Sequence, residues 1–182
     1  MKTHLGYRAI WLVMALLATG IALYPLRYFL PNDLGSWFSQ AGLIAMIGWA
    51  ILIFAPRRWP SLSAFPAYLL PAVLSLGYAV LILRHFGSAE GGYNSLADVA
   101  KLLSNEHILL AGWVHYLAFD LFIGAWISRK ADDASVSRVA QAPILVTTFM
   151  FGPLGLLLFL MVWKVQNLVL EINHPKKQSA ER

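Results

Sequence analysis

One acid sits in the middle of a long apolar run, and it is the residue best placed to do chemistry. In Leu110-Ala-Gly-Trp-Val-His-Tyr-Leu-Ala-Phe-Asp-Leu-Phe-Ile-Gly124, Asp120 is the sole carboxyl within any apolar block of the chain. A charged carboxylate at the centre of a membrane helix costs about 2.5–3.5 kcal/mol on insertion scales, so folding alone gives no reason to keep one. Tyr116 comes four residues earlier on the same helical face, with Gly112 and Gly124 one turn beyond at either end. His115 lies about 100° round the helix from Tyr116, at the edge of that face. It is five residues from Asp120 and would reach it only through a water or a ligand. A carboxyl, a phenol and an imidazole along one stripe can give and take protons in a dry site. The plainer alternative is that they glue helices together. Thr147 or Thr148 would then bond Asp120, and His115 would serve as a satisfied core donor.

A second run, Thr147-Thr-Phe-Met-Phe-Gly-Pro-Leu-Gly155, supplies a bend. Pro153 has no N–H and crowds the turn before it, which frees the carbonyl of Phe149 and predicts a kink. Gly152 and Gly155 make room there. A kink at membrane depth either lines a cavity or is a packing feature. Phe149, Met150 and Phe151 suit the wall of a polyene or isoprenoid slot, and equally an ordinary core. Tyr68, Ser75 and Tyr78 share one face of another block and offer polar groups to complete such a slot. The expected catalytic set is Asp120, Tyr116 and His115. Its expected lining is Gly112, Trp113, Phe119 and Gly124 from the first run, and Thr148, Phe149, Phe151, Gly152 and Pro153 from the second. Ser75 and Tyr78 close it.

Five apolar blocks must position these groups, at about residues 9–24, 37–55, 65–83, 108–127 and 142–163. Each is long enough to cross roughly 30 Å of hydrocarbon as a helix. The 182 residues are 59% hydrophobic and only 13% charged, too few charges to cover a water-soluble globule. The fold class predicted is all-α: a polytopic bundle of five transmembrane helices. It divides into an N-terminal helix and loop (1–36), a four-helix membrane domain (37–163) and a polar tail (164–182). The first block also reads as a signal peptide cleaved after Ala22, but its apolar run continues through Tyr24, which favours an uncleaved helix. Bases near the span ends favour an N-terminus on the inner side.

The longest connection, residues 84–107, carries a short amphipathic helix. Ser95 is its expected cap with Asp98 as box partner, and Leu96, Val99, Leu102 and Leu103 share a face. It is either a connector or a lid over the bundle mouth.

Several chemistries are excluded. With no cysteine there is no thiolate nucleophile, iron–sulfur cluster or thiolate-bound zinc. His115 is the one deep histidine, so a bis-imidazole haem is not expected, and Asp120 with His115 falls short of a metal site. No cofactor is expected. The net charge of +5 comes from bases paired at block ends, which fits topology and lipid contact and argues against nucleic acid. The expected partners are the lipid bilayer and a hydrophobic carotenoid or isoprenoid ligand. The sequence sets no oligomeric state.

The strings from Ala111 to Gly124 with Trp126, and from Thr148 to Leu158, resemble the hallmarks of one family. It is that of the plastid membrane protein required for neoxanthin formation, known from abscisic-acid deficiency, with many bacterial relatives. Ala55-Pro56-Arg57 and the Ser95–Leu102 element are similar to its pattern as well, and the likeness spans about residues 37–163. The resemblance implies a four-helix unit and a carotenoid-linked role, in plants the redox-neutral conversion of an epoxide to an allene. Where plant members tend to have Gly-Arg-Trp, this chain has Gly124-Ala125-Trp126. Only eight residues precede the first block, so a bacterial inner membrane is expected rather than a plastid. Three functions follow as expectations. One is acid–base isomerisation or binding of a polyisoprenoid at Asp120. The others are a small proton-coupled transporter and a non-catalytic accessory or pigment-binding subunit.

Overall fold

Backbone groups in hydrocarbon must find partners within their own segment. Accordingly, every regular element among the described residues is a helix. The computed structural model describes residues 33–55, 62 and 64–173, with side chains as far as Gln166. The expected helix at 9–24, its signal-peptide alternative, the Pro56-Arg57 motif and the end of the tail lie outside these residues.

The chain divides into two units, Met1–Trp37 and Phe38–Arg182. Of the first, only residues 33–37 are described. They open helix α1 (Leu34–Phe54), where Asp33 accepts hydrogen bonds from the Ser36 amide at 2.8 Å and its hydroxyl at 2.6 Å. Those bonds hold the Asp33 carboxyl below the ordinary carboxylate range.

In the second unit, a π-helical turn (Phe65–Leu69) leads into α2 (Leu70–His85), which a 3₁₀ turn (Phe86–Ser88) ends. Then come the short α3 (Leu96–Leu103), the long α4 (Glu106–Asp133), α5 (Arg138–Phe151) and α6 (Pro153–Asn173). Among the described residues, three helical stretches are long and apolar enough to cross a membrane: Leu34–Phe54, Phe65–Ser88 and Glu106–Asp133. The chain is a helical membrane protein.

Helix α4 is the hub. Ile108, Ala111, Val114, Leu117, Leu121, Ala125 and Ile127 are buried around it, as expected for a helix enclosed by neighbours. It packs most extensively on α2, and also meets α3, α5 and α6. From α1, Ala41, Ala45, Gly48, Trp49 and Leu52 form the inward stripe. The indole of Trp49 lies on Gly124 so closely that a Cβ there would stand 2.6 Å from Cζ3. This is the close approach expected of small residues between membrane helices. The last carbonyls of α1 have no partner in their own helix. Arg138 supplies one, donating to Ile53 O at 2.7 Å, Ala55 O at 3.0 Å and Leu52 O at 3.3 Å.

Ser95 caps α3 as expected, accepting from the Asp98 amide at 3.1 Å while its hydroxyl donates to the Asp98 carboxylate at 2.8 Å. Leu102 is buried on that helix, whereas Leu96 is 84% exposed, so the leucine face is only partly covered. Lys101 pairs with Glu90 at 2.9 Å across the loop and holds that carboxyl below its usual range.

The expected span at 142–163 differs from a single kinked helix. It is broken outright at Gly152, whose φ of +32° and ψ of −90° lie outside the α-helical region. Pro153 cannot continue the hydrogen-bond ladder, and the residue before a proline is pushed away from helical geometry. A glycine in that place turns a bend into a break.

Candidate functional site

The break at Gly152 is where the Asp120 side chain goes. A Cβ built on Gly152 would stand 2.6 Å from Asp120 Oδ1 and 2.8 Å from Oδ2, so the carboxyl is pressed against the glycine. One turn back on α4, the Tyr116 hydroxyl lies at the ends of two freed carbonyls. It donates to Phe149 O at 3.1 Å and stands 3.3 Å from Met150 O. The carbonyl that Pro153 was expected to release is therefore met by the phenol, and that phenol is also within interaction range of the Asp120 carboxyl. Asp120 Oδ2 is buried and makes no hydrogen bond among the described residues. A buried carboxyl oxygen without a donor is uncommon in folded proteins.

The threonines do not supply it. Thr148 turns its hydroxyl to Ile144 O and Thr147 to Pro143 O, each at 2.8 Å, bonding back into their own helix. A back-bonded hydroxyl satisfies itself at i−4, which is why neither reaches across to Asp120. Thr148 instead backs the break, its main chain in close contact with Gly155.

Around this centre, Phe149 packs at 5.5 Å from Trp49, and Trp49 covers Gly124. Trp113 stacks between Phe38 at 5.6 Å and Tyr116 at 5.5 Å. Phe151 is 61% exposed and Met150 55%, so these two face outward rather than into a slot. Gly112 is open on its outer side, with only Leu103 Cδ2 at 3.9 Å.

The other expected residues gather elsewhere on α4. His115 stacks on Phe119 at 4.5 Å and lies tilted against Tyr78 of α2 at 5.5 Å. Phe119 and Ser75 line an open apolar groove of about 480 Å³ between α2 and α4. The expected single slot is thus two places on one helix. Tyr116, Asp120, Phe149 and Gly152 form a proton-bearing centre at the break, with Pro153 next in sequence to Gly152. Ser75 and Phe119 line the groove, and His115 packs on Phe119 and against Tyr78. The reason is angular, since positions 115 and 119 lie well round the helix from 116 and 120.

Trp49 was not expected in the site. Its position mid-block, rather than at a span end where tryptophan anchors to the interface, was the available signal. No group of three or more His, Asp or Glu able to hold a metal occurs among the described residues. One carboxyl and one phenol come together at the break in apolar surroundings.

The phenol's two carbonyl contacts give a direct expectation. Tyr116→Phe leaves both carbonyls without the hydroxyl and lowers stability by about 0.5–1.5 kcal/mol, the usual net worth of a hydrogen bond. Thermal unfolding of the detergent-purified protein reads this as a lower midpoint.

The family model described as ABA DEFICIENT 4-like matches residues 36–159, which include Tyr116, Asp120, Gly152 and Pro153. No curated protein and no solved structure matches the chain.

Proposed function

Because the chain belongs to the ABA DEFICIENT 4-like family, we propose that it acts within the bilayer on a carotenoid or related polyisoprenoid. The reaction is isomerisation by acid–base chemistry at Asp120, without a cofactor. The observation that carries this reading is the buried, unpartnered Oδ2 of Asp120 at the Gly152 break. For an epoxy-carotenoid the step balances as follows. The epoxide C–O bond breaks as its oxygen takes a proton, and a polyene carbon gives up a proton as the allene forms. Asp120 and Tyr116 serve the two transfers between them, one giving the proton to the oxygen and the other taking the proton from the carbon. His115, turned towards Tyr78, packs on Phe119 away from the break. Trp113 and Phe149 flank the centre and offer flat faces to a polyene.

The broken pair α5 and α6 makes one further crossing, and the first span expected from sequence lies outside the described residues. The membrane proposed is a bacterial plasma membrane, with the N-terminus inside.

The test is the pigment profile of a host that makes epoxy-carotenoids, carrying the wild-type chain, Asp120→Asn or an empty vector. A new carotenoid of unchanged mass with wild type alone supports both enzyme and site. The same product from Asp120→Asn removes Asp120 from the mechanism. No new pigment from wild-type protein present in the membrane overturns the isomerase and favours a transport or accessory role.

A further inference from the structure

A second site lies on the opposite side of α4 from Gly152. The groove between α2 and α4 is lined by Ala67, Tyr68, Ala72, Ser75, Phe119 and Phe122. Its volume of about 480 Å³ is that of a small-molecule site, commonly about 300–1,000 Å³. Phe119 of its lining stacks on His115 at 4.5 Å. At its outer end Arg129 donates to the Tyr68 hydroxyl at 2.6 Å, with the guanidinium 5.2 Å from the ring centre.

The length fixes the kind of occupant. From Phe119 to Arg129 is ten residues of α4, about 15 Å along a helix. That is half of the roughly 30 Å hydrocarbon core. A polyene with polar groups at both ends would need the full thickness, whereas one acyl chain fills one leaflet. Charge fixes the head. A guanidinium has five N–H donors and takes a phosphate in a bidentate grip, and one of its nitrogens is engaged with Tyr68. Lys130 is beside it in sequence and exposed; the acids Asp132 and Asp133 follow three and four residues after Arg129, and Asp132 accepts from the Gln141 side-chain amide at 2.8 Å. Basic pockets between membrane helices commonly receive anionic headgroups. Ala67 and Tyr68 also belong to the π-helical turn, a distortion that recurs at functional sites.

We propose that the groove between α2 and α4 holds one acyl chain of an anionic phospholipid, whose phosphate sits on Arg129. The site is independent of the chemistry at Asp120.

Native mass spectrometry of the detergent-purified protein tests it, with phosphatidylglycerol and phosphatidylcholine added in turn. Wild type is expected to retain one phosphatidylglycerol with a preference on the order of five-fold, the worth of one basic residue near a membrane surface. Arg129→Ala abolishes the preference. Arg129→Gln, which keeps a donor for Tyr68 without the charge, abolishes it too and guards against misfolding of the alanine variant. Ala72→Trp fills the groove and lowers both adducts. Equal retention of the two lipids by wild type, or a preference that survives loss of Arg129, overturns the proposal. So does a neutral isoprenoid held in place of phospholipid and expelled by Ala72→Trp.

Discussion

Gly152→Ala is expected to be among the most damaging single-methyl changes in the chain. Two costs add. The backbone at φ +32° is strained for any L-residue, a penalty of about 1–3 kcal/mol. The new Cβ would also stand 2.6 Å from Asp120 Oδ1, so the carboxyl must leave the break. The variant should unfold at a clearly lower temperature and lose any Asp120-dependent product. Asp120→Ala in the same chain removes the clash but leaves the strained backbone. The double variant should therefore recover part of the stability and none of the activity. A double-mutant cycle on unfolding midpoints reads that coupling. A Gly152→Ala protein as stable as wild type would mean the carboxyl does not lie against this glycine.

Arg138→Ala is the second. It strips the end of α1 of the guanidinium that bonds the carbonyls of Leu52, Ile53 and Ala55. Hydrogen bonds to a charged group are worth about 1.5–3 kcal/mol, and the half-buried site gives water limited access to replace them. Arg138→Lys should recover only a fraction. An ammonium is a point donor and cannot fork across three oxygens. Denaturation of the purified protein in a mild detergent should rank wild type above Arg138→Lys and Arg138→Ala lowest. Equal stability of all three would show that the cap contributes nothing.

These two residues also mark how far the sequence could be read. Gly152 was legible because Gly-Pro is strong local punctuation, and Pro153's effect on Phe149 O follows from covalent geometry alone. Only the degree differed, a break instead of a kink. Asp120 and Tyr116 were legible through helical spacing. The partners of Tyr116 follow from the same proline argument once α5 is laid beside α4. In the sequence Arg138 is only one more base near the end of an apolar block. Its task depends on where α1 stops relative to the start of α5, which is tertiary information. The separation of His115 and Ser75 from Asp120 was hidden for a similar reason. Periodicity sorts residues onto faces of one helix but does not say which neighbour each face meets. Thr147 and Thr148 misled because a hydroxyl in a helix has a local acceptor always at hand.

The break bears on how the chain enters the membrane. Helix α5 has 14 residues, about 21 Å of helix, whereas α6 has 21, about 31 Å. Helix α5 by itself falls short of the roughly 30 Å hydrocarbon core. The loose carbonyls at its end are met by Tyr116 of α4. The last turn of α5 therefore settles only against an α4 already in place, and assembly of the chain acquires an order.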